Sequence, residues 1–126
     1  MLNHFTATLL ANGALLLILA LNVVRVRIQE GVAYGDGNNT RLKAAIRAHG
    51  NGTEQVPLFI LLVLALELQG FNGLWLTGMV TAFTLGRVLH AHGMMAPSFV
   101  TRRIGATLTF LMQATGLVLL AVIALS

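Results

Sequence analysis

Hydrophobic residues fall along this chain in four long runs separated by short polar segments. The runs cover about residues 5–24, 50–69, 71–89 and 104–125. A transmembrane helix needs about 20 mostly apolar residues, so each run is long enough to cross a bilayer. The pattern predicts one all-α membrane domain over residues 1–126, a four-transmembrane-helix bundle with antiparallel, up-down topology.

The connections between the runs support this topology. Residues 69–73, QGFNG, form a short link with two glycines, which predicts a tight antiparallel hairpin of the second and third spans. The first connection, about 25 residues long, contains GDGNN at 35–39 and predicts a polar loop. No basic segment precedes the first run and arginines follow it, so we expect an uncleaved span rather than a signal peptide.

The composition agrees with a membrane protein. Hydrophobic residues make up 56% of the chain and charged residues only 10%, whereas soluble domains carry about 25% charged residues. The absence of cysteine excludes disulfides, thiolate metal sites and cysteine nucleophiles. Eight Lys/Arg against four Asp/Glu give a net charge of +4. The basic residues are not interleaved with aromatic ones, so we expect no nucleic-acid partner.

The positive charges all fall on one side of the predicted membrane topology. They lie in or beside the first and third connections, whereas the second connection and both termini have none. The positive-inside rule places that side in the cytoplasm, which predicts a multi-pass protein of a bacterial inner membrane with both termini in the periplasm. The eight residues are Arg25, Arg27, Arg41, Lys43, Arg47, Arg87, Arg102 and Arg103.

Polar residues recur at helical spacing near this charged side. Arg47, Asn51 and Glu54 have the spacing i, i+4, i+7, which places them on one face of the second helix. Arg87 and His90 form a similar pair, i and i+3, on the third helix. These residues together predict a polar site. The alternatives are arginines that reach the lipid headgroups and a structural ion pair of Glu54 with Arg47 or Arg87.

Other polar residues within the spans have simpler interpretations. Asn12 and Asn22 are expected to hydrogen-bond to neighbouring helices. Glu67 lies nearly opposite Glu54 on the helix and close to the outer end, which indicates an interfacial or intersubunit residue. His90 and His92 point to opposite faces of a helix, so we expect no metal site.

Three segments resemble the MAPEG family, the membrane-associated proteins in eicosanoid and glutathione metabolism. They are RAHGNGTEQVP at 47–57, GRVLHAHG at 86–93 and RRIG at 102–105. Residues 31–51, GVAYGDGNNTRLKAAIRAHGN, resemble the small bacterial branch in particular. The resemblance covers nearly the whole chain. The family includes the microsomal glutathione transferases. The resemblance implies a four-helix protomer, a homotrimer, and glutathione bound as cosubstrate between adjacent protomers near the cytoplasmic face.

The resemblance also implies roles for individual residues. Arg47, Asn51 and Glu54 match glutathione-contacting positions on the second span, and Arg87 and His90 match polar site positions on the third. Either Arg102 or Arg103 matches the arginine that stabilises the glutathione thiolate; the spacing to Gly105 and Thr107 slightly favours Arg102. The expected activity is that of a membrane-bound glutathione transferase, or a glutathione-dependent peroxidase, acting on lipophilic electrophiles or hydroperoxides.

The chain departs from many relatives in its tyrosines. Gln55 follows the motif glutamate where many relatives have tyrosine, and His90 and Met94 replace tyrosines near the end of the third span. The only tyrosine is Tyr34, in the first connection. The missing tyrosines favour the first of two alternatives that stay open, and the similar size and four spans suggest the second. One is a non-catalytic protein with the same fold, and the other is a small multidrug-type transporter, which usually needs a carboxylate deep in its first span.

Overall fold

The computed structural model describes residues 2–96 and 98–126. These residues form four α-helices and no β-strand, as the sequence predicts. The helices are α1 (Asn3–Glu30), α2 (Thr40–Leu68), α3 (Leu74–Met95) and α4 (Phe99–Leu125).

The helices are longer than the apolar runs, mostly on the charged side of the bundle. α1 continues through Arg25 and Arg27 to Glu30, and α2 begins ten residues before the second run. Hydropathy detects only the residues that can lie in the hydrocarbon core of the bilayer. The helices extend beyond it, because arginine, lysine and glutamate also have high helix propensity. The first connection therefore shrinks from the expected 25 residues or so to residues 31–39.

Local signals end the helices where the loops begin. Gly31 has φ 67, a left-handed conformation that suits glycine, and its N–H bonds back to the end of α1. The side chain of Asn39 accepts a hydrogen bond from Leu42 N at 2.8 Å and caps α2. Ser98 caps α4 in the same way through Thr101 N. The GDGNN segment is thus a loop between two capped helices.

The hydrophobic core lies between α2 and α3. Phe59 and Phe83 stack with ring centroids 3.8 Å apart and planes 6° from parallel. Both rings are fully buried, as are Val63 on α2 and Leu76 on α3. α1 and α4 cover this pair, because partly buried residues from both helices pack against the cluster.

The outer surfaces of α1 and α4 are apolar and exposed, as expected for contact with lipid. Within the described part of the chain, three helices are long and apolar enough to cross a membrane: α1, α2 and α4. α3 is not among them, because its 22 residues include Arg87, His90 and His92. It nevertheless packs against α1, α2 and α4 within the same bundle.

Polar contacts define the two ends of the bundle. At one end, His4 near the start of α1 contacts Glu67 at the end of α2 and Thr77 near the start of α3. At the other end, Arg87 in the second half of α3 contacts Asn51 in the first half of α2. Neighbouring helices are therefore antiparallel, and the eight Lys/Arg residues fall towards the second end, called the charged end below.

Candidate functional site

Arg87 lies inside the bundle at the charged end and links three helices. Its side chain is 1% exposed. Nη2 donates to Oδ1 of Asn51 on α2 at 2.8 Å, and Nη1 donates to Oγ1 of Thr109 on α4 at 3.3 Å. The sequence predicted that Arg87 and Asn51 belong to one polar site, and the structure brings them into direct contact.

The Arg87 guanidinium has no carboxylate partner among the residues that the structure describes. The ion pairs among residues 2–96 and 98–126 are His4–Glu67, Arg41–Glu30 and Lys43–Asp36. Nε of Arg87 also lacks a hydrogen-bond partner. A buried cation held only by neutral oxygens is costly unless an anion approaches it. A negatively charged group nearby would therefore stabilise the buried Arg87 guanidinium.

His90 lies one turn further along α3, where α3 and α4 come unusually close. Its side chain is buried and its Nδ1 lacks a hydrogen-bond partner. A Cβ added at Gly105 would collide with the backbone N of His90, and one at Gly93 would lie 2.5 Å from the backbone N of Arg102. Glycines therefore permit this contact, which fixes the start of α4 against the polar part of α3.

Arg47 and Glu54 lie on the same side of α2 as predicted, but both side chains are exposed. Glu54 takes part in none of the ion pairs formed by the described residues. The structural ion pair with Arg47 or Arg87 is therefore not formed within one protomer, and Glu54 does not face the bundle interior. Asn51, between them in sequence, is partly buried and connects this exposed stripe to Arg87.

Arg102 and Arg103 are exposed in the first turns of α4. Both guanidinium groups lie over the ring of Phe99, at 5.6 Å and 5.3 Å from its centroid. Cation–π contacts of this kind hold a guanidinium without neutralising its charge. The structure does not distinguish the two arginines as the residue that would face a thiol.

Glu67, predicted to be an interfacial or intersubunit residue, has its partners within the chain, at the end of the bundle opposite the charged end. The residue is 7% exposed, and its carboxylate accepts hydrogen bonds from the backbone N of His4 at 2.9 Å and of Phe5 at 2.8 Å. His4 Nδ1 lies 2.8 Å from the same carboxylate. Glu67 thus satisfies unpaired N–H groups in the first turn of α1. Its position near the outer end of α2 was predicted from sequence, whereas its contact with the start of α1 was not.

Several smaller predictions can be compared with the contacts. Asn12 Nδ2 donates to Thr84 Oγ1 on α3 at 3.0 Å, which confirms an interhelical hydrogen bond. Asn22 contacts Met95 of α3. His90 is buried and His92 exposed, so they lie on different faces of α3. The sequence did not predict Thr109 as a partner of Arg87, because the mainly apolar α4 shows no polar pattern around it.

The fold, a multi-pass bundle of apolar helices with a buried polar contact at its charged end, defines a class of small integral membrane proteins. The model of the MAPEG family matches residues 5–122. The chain is also 39% identical over 100 residues to "Inner membrane protein YecN" of Escherichia coli strain K12, covering 79% of this chain and 76% of that protein. The YecN protein of E. coli O6:H1 strain CFT073 matches equally. This chain belongs to the MAPEG family.

Proposed function

We propose that this protein binds glutathione at the charged end and activates its thiolate toward lipophilic electrophiles or hydroperoxides. The observation that carries the proposal is the hydrogen bond from the buried Arg87 to Asn51. It fixes the side chain of Asn51, which lies between the exposed Arg47 and Glu54 along α2. These three residues are the helix positions where the family resemblance expects glutathione contacts.

The Arg87 contact determines which atom of Asn51 remains for a ligand. Because Oδ1 of Asn51 accepts from Arg87, its Nδ2 group is left to donate to a carboxylate or a peptide carbonyl. Arg87 is itself 1% exposed, so its role is to position Asn51 and to supply positive potential. His90, which is also buried, lies at the close contact of α3 with α4.

The exposed groups match the charges of glutathione. The tripeptide carries two carboxylates and one ammonium group at neutral pH. The guanidinium of Arg47 is a planar fork that suits a carboxylate, and Glu54 suits the ammonium. The reactive species is the thiolate, and a nearby cation lowers a thiol pKa from its usual value of about 8.5. Arg102 or Arg103 is proposed to supply that cation.

The apolar outer surface of the bundle indicates how the electrophilic substrate reaches the protein. The outer faces of α1 and α4 are apolar and exposed, so an apolar electrophile dissolved in the bilayer reaches the protein laterally. We propose a homotrimer in a bacterial inner membrane, with the charged end in the cytoplasm, the compartment that contains glutathione. The name of the YecN relative and the positive charge of this end support that location.

A protein that binds glutathione without turnover is the second candidate. It is favoured by the lack of a tyrosine at the candidate site positions, since the single tyrosine of the chain, Tyr34, is 91% exposed in the loop after α1. A proton-coupled transporter has less support, because the only carboxylate of α1 is Glu30, its last residue.

Turnover measurements test the proposed activity. Detergent-purified protein would be assayed with glutathione and either an apolar aryl halide or a lipid hydroperoxide, beside Arg102→Ala, Arg103→Ala and the control Lys43→Ala. We expect a rate above the uncatalysed one that falls at least about tenfold in one of the α4 variants and is unchanged in the control. No rate above background with any of the electrophiles would exclude catalysis.

A further inference from the structure

A groove of about 630 Å³ opens on the bundle surface between α1 and α2, beside the end of α3. Its walls combine buried apolar residues, Leu19, Val26 and Ala45, with the polar side chains of Asn22, Arg25 and Arg41. None of the seven candidate glutathione residues lines it. The groove is therefore a separate feature of the charged end.

The groove carries positive charge that its own lining does not neutralise. The described residues that line it include Arg25 and Arg41 but no carboxylate. Arg25 donates to Oδ1 of Asn22 at 2.9 Å, a neutral acceptor. Nη1 of Arg41 lies 3.3 Å from Oε1 of Glu30, which does not line the groove. Two guanidinium groups from different helices thus flank one concave surface, an arrangement that suits a phosphate group.

The rest of the groove is apolar and continues onto the lipid-facing surface. Ile18 and Leu21 of α1 line it and are more than half exposed, and Met95 of α3 completes one side. Arg25 is the first residue after the apolar run of α1, so the two arginines lie where hydrocarbon meets headgroups. The occupant must therefore combine an anionic head with an apolar tail.

We propose that this groove binds an anionic phospholipid of the surrounding leaflet. Its phosphate lies between Arg25 and Arg41, and an acyl chain follows Leu21, Ile18 and Leu19 along the groove. Anionic lipids are attracted to basic segments at the membrane surface, and the bilayer supplies them at high local concentration. The proposal does not depend on glutathione binding.

Lipid titration followed by native mass spectrometry tests the proposal. Detergent-purified protein is titrated with dioleoyl phosphatidylglycerol, which is anionic, or with dioleoyl phosphatidylcholine, which is zwitterionic. The variant Arg25→Gln/Arg41→Gln removes the two groove arginines. The control Arg27→Gln/Lys43→Gln removes two positive charges from the same helices, two residues further along each, and neither residue lines the groove.

We expect phosphatidylglycerol to bind the wild type more tightly than phosphatidylcholine. The groove variant should weaken that binding by roughly thirtyfold, and the control by less than about threefold. Equal weakening in both variants would mean that attraction to the charged end is diffuse, and would overturn the proposal. Equal affinity for the two lipids would overturn it as well.

Photo-crosslinking of the wild type keeps the proposal testable if the groove variant does not fold. Phosphatidylglycerol with a photoreactive group on its acyl chain should label residues that line the groove, such as Leu21 and Met95. Labelling confined to the outer face of α4 would contradict the proposed position.

Discussion

The Nη2 atom of Arg87 lies 2.8 Å from Oδ1 of Asn51. This contact joins the buried side of α3 to the polar residues Arg47, Asn51 and Glu54 of α2. Arg87 has no carboxylate partner in the described part of the chain, so this amide and Thr109 are its only side-chain hydrogen-bond partners there. The stability of the charged end and the orientation of its candidate ligand group therefore depend on the same contact.

The first prediction concerns the energetic coupling of these two residues. Asn51→Ala should destabilise the protein by about 1–3 kcal/mol, because it leaves a donor of the buried Arg87 without a partner. Arg87→Met should be neutral or stabilising, because it removes a buried charge that has no carboxylate. In the Arg87→Met background, Asn51→Ala should cost less than about 0.5 kcal/mol.

Reversible unfolding in detergent measures this double-mutant cycle. Thr53→Ala is the control, because Thr53 is exposed on α2 and bonds only to the carbonyl of Gly50 in its own helix. Its expected effect is within about 0.5 kcal/mol. Additive effects of Asn51→Ala and Arg87→Met would show that the contact does not contribute to stability.

The second prediction uses the two glutamates of α2, which have opposite environments. Glu67 is buried and accepts backbone hydrogen bonds from α1, whereas Glu54 is exposed. Glu67→Ala should destabilise the protein by about 1–3 kcal/mol and leave glutathione affinity unchanged. Glu54→Ala should change stability by less than about 0.5 kcal/mol and weaken glutathione binding. Unfolding and binding assays on both variants check these opposite effects on stability and glutathione affinity. A destabilised Glu54→Ala protein would contradict the prediction.

The third prediction concerns the close approach of α3 and α4. Gly105→Ala should destabilise the protein by about 1–3 kcal/mol, because the new methyl group would meet the backbone of His90 and Gly86. Gly78→Ala is the matched control, since a Cβ there meets nothing within 4 Å. That control should stabilise α3 by up to about 1 kcal/mol through helix propensity. Equal thermal stability of the two variants would contradict the packing described above.

The sequence predicted the helices better than the contacts between them. Four apolar runs and one charged side were sufficient to predict an antiparallel four-helix bundle, because hydrophobicity decides which segments enter the bilayer. The ends of α1 and α2 could not be located in this way, since charged residues continue both helices beyond the hydrocarbon. The caps at Asn39 and Ser98 are the local signals that place the helix starts.

The candidate site was predictable only in part. Helical spacing correctly placed Arg47, Asn51 and Glu54 on one side of α2. Spacing within one helix carries no information about neighbouring helices, so it could not show that Asn51 contacts Arg87 or that Glu67 holds the start of α1. Thr109 was missed for the same reason, because a threonine in a mainly apolar helix gives no sign of a partner 22 residues away.

Calorimetry measures directly whether Arg47, Asn51 and Glu54 on α2 bind glutathione. Glutathione would be titrated into the detergent-purified wild type, Arg47→Ala, and the control Lys43→Ala. We predict saturable binding to the wild type and the control, weakened at least about tenfold in Arg47→Ala through loss of a charge-assisted contact. A folded wild type that binds no glutathione, or an Arg47→Ala variant that binds as tightly as the control, would contradict the account.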